Sequence, residues 1–282
     1  MYFATRNGVL CSKLSPYFIL HRAVTTLYLL RGRRPASKGY MSYRQEYIYH
    51  TLNNRQLMAL FRANKPLPCN YGRGLDERVV EYPWILARIN PGIGSILDAG
   101  SALNYEYICK HPSLAKKNII MYTLSPYGEN HISTSRISYI YGDLRDTILR
   151  DNIVDDIISI STIEHIGMNN YKYTEDTNFF EKQDGSFVLA IQELYRSLKP
   201  GGRLLLTVPY GLPQNLHWLF QFDEDRLKIL IDSFNGEILE KVYYRKDLSG
   251  WQVANMDECK DCEYNEQYSQ ASAVACVNLM KR

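Results

Sequence analysis

The adjacent residues Glu164 and His165 are the pair in this sequence best suited to acid–base chemistry. A histidine whose pKa lies near neutrality can remove a proton from a substrate hydroxyl while that oxygen forms a new bond. His165 and Glu164 are therefore the candidate catalytic residues; the alternative is that both only shape the rim of a sheet. No nearby carboxylate spacing completes a set of metal ligands, so we expect no metal ion here.

Such residues need a rigid scaffold, and the chain supplies alternating helix-like and strand-like segments. The predicted helices are Leu14–Arg31, Tyr47–Phe61, Arg78–Ile89, Ser186–Leu198 and Asp223–Phe234. The predicted strands are Ser95–Asp98, Ile119–Leu124, Ile137–Tyr141, Asp156–Ser161, Arg203–Val208, Glu237–Tyr244 and Ala273–Met280. Their alternation predicts an α/β fold with a mostly parallel, seven-stranded sheet and helices on both faces.

The ends of the predicted strands carry the residues that could hold a ligand, because open parallel sheets bind ligands beyond the carboxyl ends of their strands. Gly100 lets the backbone turn sharply after the first of these strands, and Asp98 can hold that turn. Asp143, after the third strand, can accept a hydrogen bond from an exocyclic amine. Ser161 ends the fourth strand, shortly before the Glu164-His165 pair.

Four segments, LDAGS, GDL, STIEHIG and LKPGGRLLLTVP, resemble in order and spacing those of the class I S-adenosylmethionine (SAM)-dependent methyltransferases. The resemblance covers residues 78–282 and is nearest to the branch with a vLEH-type segment after strand four. It implies a Rossmann-like sheet and SAM as the cofactor. The residues it implies for cofactor binding are Asp98, Gly100, Ser101, Asn104, Thr123, Ser125, Asp143, Leu144 and Ser161.

The resemblance also implies a division of roles among these residues. Asp98 and Gly100 would line the methionine end of the cofactor, and Asp143 with Leu144 would contact adenine. The segment 161–165 would border both the cofactor and the substrate.

The sequence departs from the family pattern at two places. Ala102 and Asn104 stand where the family has its second and third glycines, and Asn104 replaces a glycine in part because Asn tolerates left-handed backbone. Thr123 stands where the family has an acid that binds both ribose hydroxyls. Thr123 or Ser125 would supply one neutral hydrogen bond there, which is weaker than a charge-assisted pair.

Aromatic residues after strands four and five are the candidates for substrate binding. The stretch 167–185 follows strand four and contains Tyr171, Tyr173, Phe179 and Phe180, so it is either a lid over the site or a surface insertion. The predicted substrate-binding residues are Tyr171, Tyr210, His217 and Trp218. Trp218 either stacks on a ring of the substrate or packs in the protein core, and the sequence leaves both alternatives open.

The charge of the 282-residue chain is unevenly distributed. Its net charge is +3, but residues 1–45 contain eight Lys or Arg and no acid. The basic arm lacks the regular aromatic interleaving of a single-strand nucleic-acid groove, so no nucleic-acid partner is expected.

The chain has no apolar run long enough to predict a membrane span, and its six cysteines are too few for a disulfide scaffold, which favours the cytoplasm. One Cys-x-x-Cys, at Cys259 and Cys262, lacks the second pair of a zinc site.

The sequence therefore divides into a basic, helical amino-terminal extension, residues 1–75, and a methyltransferase-like domain, residues 76–282. The basic arm of the extension, residues 1–45, could lie on an anionic membrane, bind an acidic partner, serve as an organelle-targeting peptide, or pack on the domain as an auxiliary helix. The glycine-rich G-x-G-x-x-G of a nicotinamide-dependent enzyme is missing after the first strand.

These observations predict methyl transfer from SAM to a small-molecule or glycan acceptor. A lid and aromatic side chains suit such a bounded acceptor, and the oligomeric state is left open. The alternative from another class is a catalytically inactive binding or scaffold protein that kept the fold, with or without membrane association through the basic arm.

Overall fold

The computed structural model describes residues 2–15, 17–126, 132–174 and 183–282, without the side chain of Lys172. The strands are β1 (Tyr2–Ala4), β2 (Leu10–Ser12), β3 (Gly94–Ala99), β4 (Lys117–Thr123), β5 (Ile137–Tyr141), β6 (Val154–Ile160), β7 (Leu198–Pro209), β8 (Gln214–Asn215), β9 (Phe220–Gln221), β10 (Glu237–Asp247), β11 (Gly250–Ala254) and β12 (Ala273–Met280). The helices are α1 (Tyr17–Leu30), α2 (Tyr40–Leu52), α3 (Arg55–Arg62), α4 (Arg78–Leu86), α5 (Glu106–Cys109), α6 (Tyr171–Thr174), α7 (Phe187–Ser197), α8 (Glu224–Phe234) and α9 (Met256–Cys259), with a 3-10 turn at Ile163–His165. None of the helices in these ranges is long and apolar enough to cross a membrane.

One sheet organises the chain, with strand order β11-β10-β12-β7-β6-β3-β4-β5. Strands β7, β6, β3, β4 and β5 pair in parallel, whereas β12 runs antiparallel to both β7 and β10. The α/β fold with a parallel-dominated sheet is therefore confirmed. The carboxyl ends of β3, β4, β5 and β6 meet at one edge, which is where the topology places a ligand.

The predicted count of seven strands is wrong, because the sheet has eight. The additional strand β11 forms an antiparallel hairpin with β10, and Asp247 pairs with Gly250 across the turn. Only five residues long and beginning with glycine, β11 has no apolar run that would have indicated it in the sequence.

Two apolar cores lie on opposite faces of the sheet. Successive residues of one strand enter different cores: Ile96 packs with α2, α3 and α4, and Leu97 packs with α7 and α8. Ile158 and Ile157 divide in the same way. This alternation follows from the two-residue period of a strand, and it leaves the carboxyl edge of the sheet between the two helical layers.

The predicted helix over residues 47–61 is two helices. Helix α2 ends at Leu52, and the side chain of Asn54 caps α3 by accepting hydrogen bonds from the backbone N–H groups of Gln56 and Leu57. Asparagine favours helix starts because its side chain replaces a missing backbone acceptor. Asn54 therefore starts a new helix rather than continuing the preceding one.

Helix α1 packs on α2 through its polar side. The imidazole of His21 lies 2.9 Å from the Glu46 carboxylate, and Tyr28 donates a 3.0 Å hydrogen bond to the carbonyl of Gly74. His21, Thr25 and Tyr28 are the residues that α1 buries, while Tyr17 and Leu20 are exposed. The apolar spacing of this helix predicts its existence correctly, but that spacing does not identify its buried side.

Residues 67–75 cover the outer edge of the sheet. The N–H of Trp251 in β11 donates to the carbonyl of Tyr71, at 2.8 Å, and the Trp251 indole N–H donates to the carbonyl of Leu75. The side chain of Gln252 exchanges two hydrogen bonds with the backbone of Leu67. Residues 67–75 therefore contact the outer edge of β11, the terminal strand of the sheet, through one backbone hydrogen bond and through side chains.

The His21–Glu46 contact should make the stability of the protein sensitive to acid. Burial alone would raise the pKa of Glu46, but hydrogen bonds from His21 and His50 outweigh burial and lower that pKa to about 2, from an ordinary 4.5. The stabilisation is therefore complete above pH 4.5 and is lost as the pH falls toward 2. We expect wild type to exceed Glu46→Gln in free energy of unfolding at pH 6, by a margin that shrinks on acidification. Urea unfolding across this range checks it, and a margin independent of pH would contradict it.

Candidate active site

A cleft of about 280 Å³ opens at the carboxyl edge of β3, β4, β5 and β6. Residues from the end of each of these strands line it, so the parallel sheet gathers segments far apart in sequence. The predicted site residues that line the cleft are Gly100, Ser101, Asn104, Thr123, Asp143, Leu144, Ser161 and His165.

The side chain of Asp98 fixes the loop after β3 by accepting hydrogen bonds from its backbone. The buried carboxylate of Asp98 accepts hydrogen bonds from the backbone N–H groups of Ala102, at 3.2 Å, and Leu103, at 2.7 Å. Gly100 has a φ of 111°, and a Cβ on it would stand 2.0 Å from Oγ1 of Thr162. Asp98 therefore shapes the loop without lining the cleft, and only glycine fits at position 100.

Two serines that line the cleft have left-handed backbone. Ser101 has a φ of 57° and Ser161 a φ of 41°, which is uncommon for residues other than glycine. The N–H of Ser161 donates to the backbone carbonyl of Thr207 in the next strand, at 3.0 Å, which fixes the turn out of β6. Asn104, on the same wall as Ser101, accepts a hydrogen bond from the hydroxyl of Tyr139. Strained backbone of this kind persists where surrounding contacts fix it, and it concentrates at functional sites.

Asp143 forms an ion pair with Arg145, two residues later in the chain. The guanidinium of Arg145 donates to both carboxylate oxygens of Asp143, at 2.5 to 3.0 Å. Burial would raise the pKa of Asp143, but the hydrogen bonds and charge of Arg145 outweigh burial and lower it. A ligand amine at Asp143 would therefore share this carboxylate with Arg145 or displace the guanidinium.

The end of β4 presents only neutral groups to the cleft. Thr123 and Leu124 line it, and the carbonyl of Thr123 accepts a hydrogen bond from the N–H of Gly142. Ser125 does not line the cleft. A diol held here would bind to hydroxyl and backbone groups instead of a carboxylate.

His165 lies at the wall of the cleft with its ring orientation fixed. Its Nδ1 donates a 2.7 Å hydrogen bond to the carbonyl of Trp218, and the two rings stack at 5.3 Å. In the neutral ring this bond leaves Nε2 as the basic nitrogen, which lies 3.4 Å from the hydroxyl of Tyr173. The geometry thus presents the nitrogen that can accept a proton on the side of Tyr173, another residue of the cleft.

Glu164 is buried behind His165 and does not line the cleft. Burial raises the pKa of its carboxyl well above the ordinary 4.5. Its Oε1 lies 3.9 Å from Nε2 of His165, and Oε2 has no hydrogen-bond partner within the described residues. Glu164 therefore lies next to His165 without reaching the cleft.

Helix α4 contributes a cation to the cleft that the motif pattern does not indicate. Arg78 and Tyr82 both line the cleft, and their spacing of four residues places them on one side of the helix. Arg78 donates to Oε2 of the buried Glu81, at 2.5 Å. Oε1 of Glu81 accepts hydrogen bonds from the hydroxyls of Ser161, at 2.6 Å, and Thr207, at 2.7 Å. One carboxylate thus joins α4, β6 and β7 at the base of the cleft.

The four residues predicted to bind substrate do not line this cleft. Tyr210 is buried with its ring 4.8 Å from that of Tyr243, and Tyr171 and His217 are exposed outside the cleft. Trp218 does not line the cleft, but its ring stacks on that of His165. Whether any of them binds substrate stays a prediction.

The predicted lid over residues 167–185 is described only in part. Gly167, Asn170 and Tyr173 line the cleft, which brings the start of this segment into the site. Residues 175–182, with the predicted aromatic side chains of Phe179 and Phe180, lie outside the described residues.

Cys259 and Cys262 do not line the cleft. Both thiols are buried, and burial raises the pKa of Cys259 to about 12, so neither is poised to act as a thiolate. In the described ranges no group of three or more His, Cys, Asp or Glu side chains is arranged to hold a metal ion.

The sequence did not indicate several residues that line the cleft. The ones it did not single out include Arg78, Tyr82, Tyr105, Arg145 and Asn170. Arg78 and Tyr82 could have been found, because a charged and an aromatic residue four apart end up on one side of the helix that precedes the first long strand. Tyr105, Arg145 and Asn170 carry no comparable local pattern.

Comparisons with known proteins give structural similarities at low sequence identity. No family model and no curated protein matches the sequence. The [4+2]-cyclase SpnF is 15% identical, with 85% of this chain and 95% of that chain covered and a TM-score of 0.45. A Burkholderia thailandensis 1,6-didemethyltoxoflavin-N1-methyltransferase, solved with S-adenosylhomocysteine, is 12% identical over 97% and 92%, with a TM-score of 0.44. A SAM-dependent methyltransferase from Methanosarcina mazei is 13% identical over 70% and 96%, with a TM-score of 0.42.

Proposed function

We propose that this protein is a SAM-dependent methyltransferase whose acceptor is a small molecule or a glycan. The observation that carries the proposal is the convergence in one cleft of the loop after β3, Thr123, Asp143, Leu144 and His165. These are the positions that the methyltransferase-like segments of the sequence assign to cofactor and acceptor. The vLEH-type branch, the division at residue 75 and a cytoplasmic location are finer parts of the same proposal.

The described residues of the cleft fit the chemistry of this cofactor. Leu124, Leu144 and Ile166 provide apolar contact for a flat ring, and Asp143 provides an acceptor for its amine. The left-handed backbone at Gly100 and Ser101 brings main-chain groups, rather than side chains, against the ligand. When bound, SAM supplies a methyl group on a positively charged sulfur, which is reactive without a metal ion.

The protein's contribution is to orient the acceptor and, for a hydroxyl acceptor, to take its proton. The carbonyl of Trp218 fixes the ring of His165, so that Nε2 receives the proton while the oxygen forms its new bond. The stack on Trp218 and the adjacent Tyr173 restrict the rotation of the ring. For a nitrogen or carbon acceptor, positioning alone would suffice.

Titration with S-adenosylhomocysteine, the demethylated product, tests the proposal directly. Calorimetry on the full-length protein should show binding in the micromolar range. The absence of binding at millimolar ligand would exclude the methyltransferase.

The ion pair between Asp143 and Arg145 allows a second, sharper measurement. Since a ligand amine competes with Arg145 for Asp143, Arg145→Met should tighten S-adenosylhomocysteine binding about tenfold, the lower end of the range for one hydrogen bond to a charged group. Arg150→Met, at an exposed position outside the cleft, is the matched control and should change nothing. Weaker binding by Arg145→Met would mean that Arg145 itself contacts the ligand.

The second candidate function is a non-catalytic binding or scaffold protein with a methyltransferase-like fold. It is favoured by the Arg145–Asp143 pair, which fills the amine position, together with the uncharged Thr123 at the diol position. Failure of both titrations would favour this alternative.

A further inference from the structure

We propose that the outward side of α1 is a binding surface for anionic lipid membranes. This surface, the α1 stripe, consists of Ile19, Leu20, Ala23, Leu27 and Leu30. The inference is independent of the proposed function, because it rests on a different part of the molecule and on a different kind of contact.

The packing of α1 fixes which side faces outward. The buried side is polar, with the His21 imidazole 2.9 Å from Glu46 and the hydroxyl of Thr25 bonded to the carbonyl of His21. The ring of Phe3 packs on His21 with centroids 4.5 Å apart. Turning the apolar side inward would break these buried hydrogen bonds, which is costly.

Four of the five residues of the stripe are exposed, and Leu27 is half-buried. Ile19 is 76%, Leu20 63% and Leu30 80% exposed, and Ala23 is exposed as well. Ile19, Ala23, Leu27 and Leu30 follow one another at spacings of four, four and three, so they form one line along the helix. Single exposed apolar residues are ordinary, but a contiguous apolar surface marks a site of interaction.

The charges around the stripe identify its partner. Residues 1–45 contain no acid, and five of their basic residues are exposed without an ion pair in the described part of the chain: Arg6, Arg22, Arg31, Arg34 and Lys38. Arg22 lies on α1 itself, and Arg31 and Arg34 follow its end. An apolar stripe with basic residues beside it matches the chemistry of an anionic bilayer surface. A second copy of the chain is disfavoured as the partner because it would bring the same positive charges into contact.

The length of the helix favours lying on the membrane rather than crossing it. Helix α1 has 14 residues, whereas a span requires about 20. The stripe would therefore enter the boundary between headgroups and acyl chains, with Arg22 and Arg31 at the level of the phosphates.

Co-sedimentation of the full-length protein with vesicles tests this inference. We expect recovery with vesicles of phosphatidylglycerol and phosphatidylcholine, little with phosphatidylcholine alone, and a decrease with added salt because screening weakens the charge term. Equal recovery with both kinds of vesicle, or none with either, would overturn the proposal.

Two double variants separate the apolar from the electrostatic contribution. Ile19→Ser with Leu30→Ser should weaken vesicle binding about tenfold or more, since two buried apolar side chains are lost. Arg22→Gln with Arg31→Gln should weaken binding to anionic vesicles about 25-fold, at about fivefold for each basic residue. All four residues are exposed, so circular dichroism and thermal melting should match those of wild type.

The matched control replaces apolar residues of equal exposure elsewhere. Ile93 is 88% and Leu248 93% exposed, and Ile93→Ser with Leu248→Ser should leave vesicle binding unchanged. An equal loss in this control would show non-specific adsorption and overturn the proposal. Concentration-dependent dimers in sedimentation velocity without vesicle binding would identify a second copy as the partner, and capture by polyglutamate without vesicle binding would identify an acidic protein; either result overturns the lipid assignment.

Discussion

Replacing His165 with asparagine is expected to lower the turnover number about 10²-fold or more with a hydroxyl acceptor, because general-base catalysis contributes about 10²–10⁴-fold. Asparagine keeps a polar side chain against the carbonyl of Trp218 but has no basic nitrogen to replace Nε2. Binding of S-adenosylhomocysteine should remain close to that of wild type, because the loops after β3 and β5 are untouched.

The pH dependence of the same reaction distinguishes the loss of a general base from a change in the shape of the site. In wild type the rate should rise with pH through a single ionisation near neutrality, and this rise should be missing from His165→Asn. His50→Asn, on the exposed side of α2, is the matched control and should retain both the rate and the profile. Wild-type turnover in His165→Asn would show that positioning alone carries the reaction.

Replacing Glu81 with alanine is expected to lower the free energy of unfolding by about 3 kcal/mol, at the lower end of the range for breaking a buried ion pair. The change removes the partner of Arg78 and the acceptor of two buried hydroxyls, those of Ser161 and Thr207. The value falls at the lower end because the side chain of Arg78 retains 24% exposure, so water can solvate part of its charge.

Denaturant unfolding measures this effect against two matched variants. Glu81→Gln keeps an oxygen that accepts from Ser161 and Thr207, so its loss should be smaller than that of Glu81→Ala. Glu266→Ala removes an exposed carboxylate and should change stability by less than about 0.5 kcal/mol. If Glu81→Ala unfolds like Glu266→Ala, the network at the base of the cleft does not support the fold.

Seven strands of the main sheet were predictable because each is an apolar run of strand length. Such a run can be recognised from its own residues alone. The same holds for the positions at their carboxyl ends: once the sheet is parallel, Gly100, Asp143 and His165 must approach one edge. The existence of α1 followed from its spacing for the same reason.

Features that depend on distant partners were not predictable. The buried side of α1 is selected by Glu46 and Gly74, and β11 is a strand because it pairs with β10. Tyr210 follows a strand that ends near the cleft, but its ring enters the core beside Tyr243. The position of a residue after a strand therefore locates its backbone, whereas the direction of its side chain depends on the packing partners.

The cover over strand β11 has a consequence for any shortened version of the protein. A truncation that starts at residue 76 would remove the carbonyl that receives the N–H of Trp251 and the backbone that pairs with Gln252. The edge strand β11 would then lose the contacts that cover it, and an exposed edge strand is a template for pairing between copies. We therefore expect a chain that starts at residue 76 to self-associate more readily than the full-length protein.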